Sequence, residues 1–374
     1  MSRAAQLERF AASDPTNPVL LCDLLDELLR EGRVDDALVR LRSLPSDMRD
    51  EPAIKFREAR CALVQRDFVA AATILEAMLI ATPDSGPGVR HDLALAQSGL
   101  GFHDEALRTL AASVVRDDNM TLLAARIQQK KGDYAAAIET LDRIGSGRHH
   151  AEAQGLRALL ALDSGDTQGG MVFASLALSM DPSQHEALIV AGTVALSGKD
   201  RADSLRIFQD VLARHPDSGR AWSGLGQGHL LDGDVASARG ALERAAKLMA
   251  DHVGTWHVLA WTQLLGGDLA AASDSLDRAF ALDRTFGETH GGMALVHALR
   301  GERKEAADSI RRAARLDPSG RSAQYAQSVL LMDEGRQDEA RQIVESLLAK
   351  HSGTGVSVSA GFLFRLREAV RPRD

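Results

Sequence analysis

The sequence predicts an all-α fold, a solenoid of about ten stacked helix-turn-helix repeats with a capping helix at each end, and three observations carry that expectation. The composition is 45% apolar and 26% charged but only 4% aromatic, a palette that packs helices through small side chains and offers few β-formers. Across 374 residues no Pro/Gly/Ser-rich linker or charge run separates domains, which favours one extended architecture. Finally, the same residue types return every ~34 residues over most of the chain, the mark of a repeat array.

Taken in order, residues 1–17 carry Leu7, Phe10 and Pro15 at the spacing of the second half of a repeat, and they predict an N-terminal half-repeat or cap. Residues 18–353 hold the repeats. Blocks beginning near Pro18, Pro52, Pro87 and Asp118 show Gly32/Ala37/Leu41, Ala59/Ala71/Leu75, Gly101/Ala106/Leu110 and Gly132/Ala137/Leu141, their spacing drifting by one to three residues. Further on, the block from Ala151 gives Ala158, Gly165, Ala174 and Pro182, and the block from His185 gives Leu188, Gly192, Phe208 and Pro216. From Gly219 onward four blocks keep strict register. Trp222, Gly226, Gly233, Ala238 and Leu242 are followed by Trp256, Ala260, Gly267, Ala272 and Leu276, then by His290, Ala294, Gly301, Ala306 and Ile310, then by Gln324, Ser328, Gly335, Ala340 and Val344. Residues 354–374 predict a C-terminal capping helix, Ser357 to Val370, on the pattern Phe362, Leu363, Leu366, Val370 with Arg365, Arg367 and Glu368 between. Its aromatic content and the hinge from Ser352 to Gly355 offer a docking element as the other reading.

Each repeated residue has a physical task. Apolar residues at three- and four-residue spacing in both halves of a block give two amphipathic helices. Glycine after the first helix suits a left-handed cap, and Asp234 and Asp268 just beyond it are placed to cap the second helix. Small residues such as Gly226, Ala260 and Ala294 sit where helices must approach closely. Pro182, Pro216 and Pro318 close their blocks by disfavouring helix in the residue before them.

This pattern resembles the tetratricopeptide-repeat (TPR) family, with its loose Trp-x2-Leu-Gly-x2-Tyr, Ala, Phe, Ala, Pro signature, over residues 18 to about 352. The resemblance implies a right-handed solenoid whose first helices line a concave groove, with the second, fifth, ninth and twelfth positions facing a partner. Carried over residue by residue, those positions and their neighbours define two zones. A basic zone in the N-terminal half holds Arg57, Arg60, His91, Arg126, Gln129 and Lys130, diluted by Asp26, Glu152 and Asp163, and suits an acidic peptide or a carboxylate. A mixed aromatic-polar zone holds Ser223, Gln227, His257, Trp261, Gly291, Leu295 and Tyr325 and suits a short apolar segment. Trp222 and Trp256 fall at the repeat's own packing position, whereas Trp261 has no packing duty in the pattern and is the sharpest binding candidate. The two-carboxylate clamp of chaperone-tail adaptors is missing, because position five carries no Lys and position nine no Asn.

The remaining signals narrow the function. A net charge of −8 gives no global basic field for nucleic acid. Cys22 and Cys61 are too few and too far apart for a disulfide framework or a thiolate metal site and read as small core residues. The N-terminus does not resemble a signal peptide, since Glu8 interrupts it, and no long apolar run predicts a membrane span, so a cytoplasmic protein is expected. Gly192 to Asp200 departs from a phosphate loop, Gly224-Leu-Gly226-Gln-Gly228 follows no strand, and His149-His150 has no ligand cluster in sequence around it. No catalytic residues, metal site or cofactor are therefore expected. The leading expectation is a non-catalytic protein-interaction scaffold or adaptor, bacterial by its Ala/Arg-rich composition, holding a protein or peptide segment in the groove. The alternative is a substrate-presenting accessory to a separately encoded glycosyltransferase or cell-envelope assembly machine. Terminal helices offer a route to homo-oligomers.

Overall fold

The computed structural model describes residues 2–198 and 201–350, which form twenty-two helices and no strand. The expected C-terminal helix within 354–374 and the Lys199-Asp200 pair lie outside the described residues. The chain divides into two compact units, one ending at Ser164 and the other beginning at Gly165.

The first unit contains α1 (Arg3–Ser13), α2 (Pro18–Arg30), α3 (Val34–Arg42), α4 (Ser46–Arg49), α5 (Pro52–Val64), α6 (Phe68–Ala81), α7 (Pro87–Gly99), α8 (His103–Ala111), α9 (Asp118–Lys130), α10 (Tyr134–Leu141) and α11 (His150–Asp163). Proline opens α2, α5 and α7, where its missing N–H costs nothing. Side chains cap others: the carboxylate of Asp67 accepts from Ala70 N at 3.0 Å, and that of Asp117 from Met120 N at 2.9 Å. Between the helices of a pair the chain turns through a left-handed residue, glycine at Gly32, Gly101 and Gly132 but Arg66 (φ 61°) between α5 and α6. Alanines at the pair contacts, among them Ala37, Ala71, Ala106 and Ala137, are fully buried and bring the helices close. The drifting period has a physical cause here: α3, α8 and α10 have only 9, 9 and 8 residues against 14 in α6. Pro45 ends the first pair early, leaving α4 as a detached turn.

The second unit contains α12 (Thr167–Met180), α13 (His185–Ser197), α14 (Arg201–Arg214), α15 (Gly219–Leu231), α16 (Val235–Leu248), α17 (Val253–Leu265), α18 (Leu269–Leu282), α19 (Gly287–Arg300), α20 (Arg303–Leu316), α21 (Arg321–Asp333) and α22 (Gln337–Lys350). Second helices here keep 14 residues, which is why the sequence register is strict. Asp234 and Asp268 do cap α16 and α18, accepting from Ser237 N and Ala271 N at 3.0 Å each; the Ser237 hydroxyl together with its N–H holds the Asp234 carboxyl below its usual range, and the Ala271 N–H does the same for Asp268. A polar clamp absent from the apolar pattern also recurs. Ser275 donates to Gln263 Oε1 and Ser204 to the carbonyl of Gly192, both at 2.8 Å, and Thr109 to Gln97 Oε1 repeats the bond in the first unit at 2.8 Å. Each pair is twelve residues apart and ties a first helix to its second.

Candidate functional site

On the first helices of unit one, the expected basic zone is an ion-pair ladder. Arg57 grips Asp26 with two bonds, Nε to Oδ1 at 3.2 Å and Nη2 to Oδ2 at 2.7 Å, joining α5 to α2. Arg60, one turn further, reaches Asp26 at 3.5 Å and Asp92 on α7 at 3.7 Å. Asp92 also takes a contact from His91 Nδ1 at 2.9 Å. Both guanidinium groups lie against the Phe56 ring, 5.8 and 5.9 Å from its centre. Further along, Gln129 donates to Asp163 of α11 at 2.8 Å, and Lys130 ends α9 in solvent. Arg126 is half-buried on α9. The arrangement therefore presents paired donors and acceptors rather than an open cationic clamp. The aspartates dilute the positive charge and fix its direction.

Unit two differs from the expectation around Trp261. Its indole is 9% exposed, and Leu295 and Tyr325 are each 1% exposed, all three in one core cluster. Trp261 reaches from α17 to α21: Nε1 donates to Ser322 Oγ at 3.1 Å, and the ring meets Tyr325 edge to face at 5.5 Å. Gly291 on the intervening α19 makes this reach feasible, because a Cβ there would stand 2.6 Å from Ala323 N and 2.7 Å from Ser322 Cβ. Ser322 in turn donates to Glu288, whose carboxylate also accepts from the backbone N–H groups of Arg321 (2.5 Å) and Ser322 (3.2 Å), capping α21 from α19. His257 stands 3.8 Å from Glu288 and edge-on to Phe286, and burial pulls its pKa down to about 4. Trp261, Leu295 and Tyr325 are thus packing residues, contrary to the expectation of an aromatic seat for a ligand. Ser223 and Gln227 remain half-buried on α15, Gln227 donating to Ser223 Oγ at 3.3 Å.

Glu288 and Ser322 escaped the sequence reading, although they stand 34 residues apart at equivalent positions and the register could have paired them. Trp222 and Trp256 keep their expected packing role, each donating its indole N–H to the carbonyl ending the preceding pair, Pro216 at 2.8 Å and Ala250 at 2.9 Å. Cys22 and Cys61 are buried free thiols, and burial pushes Cys61 up to about 11, which keeps it protonated and unreactive. His149 and His150 turn to separate partners, Glu152 and the carbonyl of Gly145, both at 3.1 Å. Among the described residues no helix is long and apolar enough to cross a membrane.

Comparison with known proteins agrees with this architecture. A tetratricopeptide repeat family model matches residues 22–86, 189–252 and 292–353, together about half of the chain. The chain belongs to the tetratricopeptide repeat family, whose arrays are in general protein-interaction scaffolds. The longest unmatched stretch, 87–188, contains the two successive short second helices α8 and α10. Among curated proteins the chain is similar to the BBSome complex member bbs-4 of Caenorhabditis elegans, 23% identical over 145 residues, which is 38% of this chain and 31% of that protein. It therefore spans about a third of the length of that relative. Among solved structures it is similar to a monomeric IFIT1 mutant with Gppp-AAAA, at a TM-score of 0.55 and 13% identity, covering 95% of this chain and 91% of that one. A tetratricopeptide repeat protein from Parabacteroides merdae aligns at a TM-score of 0.44 and 14% identity, over 70% of this chain and 98% of that one. At 13% identity the likeness to the IFIT1 mutant speaks for the fold alone.

Proposed function

We propose that this chain is a non-catalytic scaffold that holds an extended or helical segment of a partner protein against the first helices of unit one. The supporting observation is the Asp26–Arg57–Arg60–Asp92 ladder, which sets charged groups of alternating sign on three successive first helices, α2, α5 and α7. Arg60 is its most open member, with 46% of its side chain exposed. Such pairs add little to stability, about 0–1 kcal/mol each. Their value lies in orientation: two bonds to Asp26 fix the Arg57 guanidinium, and Arg60 is drawn between Asp26 and Asp92, so a partner forfeits less side-chain entropy when it pairs with their outer edges. The partner favoured by this arrangement carries both acidic and basic groups, not a plain acidic tail.

Arg60→Glu tests the reading. It places a carboxylate between Asp26 and Asp92 on a solvent-facing edge, so helical circular dichroism should be retained while captured partner falls by about ten-fold or more. Capture equal to that of the unsubstituted protein would remove the ladder from the binding surface.

A further inference from the structure

A second feature of unit one has the size and charge of a recognition pocket. α8 and α10 stop after 9 and 8 residues, whereas α6 runs for 14. The missing turns leave a cavity of about 220 Å³ between α8, α9 and the end of α10. Leu107, Leu110, Ala111, Met120 and Ala124 form its apolar wall, and Arg116 and Arg143 stand at its polar edge. No carboxylate lines it, although the chain as a whole carries −8 and the cavity beside α1 includes Glu8 and Asp36. Gln128 contributes a buried amide oxygen with no hydrogen-bond partner among the described residues. Arg116 donates one bond to the carbonyl of Ala111 at 2.8 Å, which anchors its guanidinium near the mouth.

The volume decides between ligand classes. Cofactor and drug-sized sites begin near ~300 Å³, while a cavity of ~150 Å³ already holds a benzene ring. A space of about 220 Å³ therefore suits one large side chain. The cavity also lies away from the groove positions: at ~100° per residue, Met120, Ala124 and Gln128 share the side of α9 opposite Leu122, Arg126 and Gln129.

We infer that this cavity is an anchor pocket for a protein segment in which a large apolar residue adjoins Asp or Glu. The apolar side chain enters between Leu107, Leu110 and Met120. The neighbouring carboxylate meets Arg116 and Arg143. The inference rests on the scaffold reading and adds a second contact point on the side of the second helices.

The experiment pans a displayed random-sequence peptide library on the full chain, on Ala111→Phe and Arg143→Glu, and on Arg60→Glu. Ala111 ends α8 in solvent, so the added ring fills the notch from its rim. Arg143 is exposed, so its reversal leaves the core alone. The full chain should enrich peptides pairing Leu, Phe or another large apolar residue with an adjacent acid, and these should bind Ala111→Phe and Arg143→Glu at least about ten-fold more weakly at unchanged helicity. Enriched peptides lacking that pattern, or binding both pocket variants unchanged, overturn the inference, as does failure to enrich any sequence. Peptides lost on Arg60→Glu but kept on both pocket variants overturn it while leaving the ladder reading in place.

Discussion

Trp261 shows what one side chain contributes when a repeat departs from its own pattern. Its indole bridges α17 to α21 and satisfies its N–H on Ser322, so truncation removes a packed ring and leaves the Ser322–Glu288 bond at the edge of a void. Trp261→Ala should cost about 3–5 kcal/mol, read as a lower urea midpoint, with partner capture through unit one intact once folding is restored by cooling or osmolyte. A loss of capture without a loss of stability would return this residue to the binding surface. His257 supplies a pH test of the same neighbourhood. Burial holds its imidazole at about 4, against 6.5 in an open chain, with Glu288 opposing that shift and Arg321 adding to it. Above pH 6.5 the ring is neutral in both states and the native state loses nothing. As the pH falls from 6.5 toward 4, only the unfolded chain takes the proton, so stability falls through that window by up to about 3 kcal/mol. Comparing urea midpoints at neutral and mildly acidic pH should show a smaller drop in His257→Gln than in the unsubstituted protein; equal drops would mean that the imidazole titrates normally.

At the scale of the element, the pair turn gives the plainest test. Eight glycines adopt positive φ in the described residues, all of them between the helices of a pair, yet the α5–α6 turn places Arg66 there at φ 61°. A side chain in this conformation costs about 1–2 kcal/mol, partly offset by the greater freedom glycine gains in the unfolded chain. Arg66→Gly should raise stability by about 0.5–1 kcal/mol in urea unfolding, and a decrease would show that the Arg66 side chain makes a compensating contact. Pairs, turns and caps were legible in the sequence because each rests on a local rule: the glycine positions, Asp234 and Asp268 as caps, and the buried alanines all follow from spacing. What spacing could not convey was distance between first helices. The closeness of α19 and α21 depends on Gly291 having no side chain, and that closeness turned Trp261 from a candidate ligand contact into a core residue. In the basic zone Asp26 was counted as diluting the charge, but Asp92 was not, and spacing did not show that both lie directly beside Arg60 across neighbouring helices, about one repeat away in sequence. The anchor pocket was hidden in what the sequence presented only as a drifting period.

For the molecule as a whole, stability in a repeat array is a sum over neighbours rather than a property of one shared core. The apolar clusters obey this: one spans α17 to α22, while separate clusters serve α1 to α5 and α5 to α7. Hydrogen exchange on Trp261→Ala should therefore show lost protection in α17–α22 and unchanged protection in α2–α9, whereas a uniform loss would mean that the chain opens as one cooperative body. The Trp261–Ser322 bond also bears on how such a chain can be copied. Repeats lengthen and shorten by duplicating or dropping single pairs, because each brings its own turn and cap. A side chain that skips a pair breaks that freedom: excising α19 and α20 would strand Trp261 against a new neighbour lacking the Gly291 opening, and duplicating them would carry Ser322 out of its reach. α17, α19 and α21 are thus coupled across two pairs, so gaining or losing a single pair among them forfeits this bond and the packing around it.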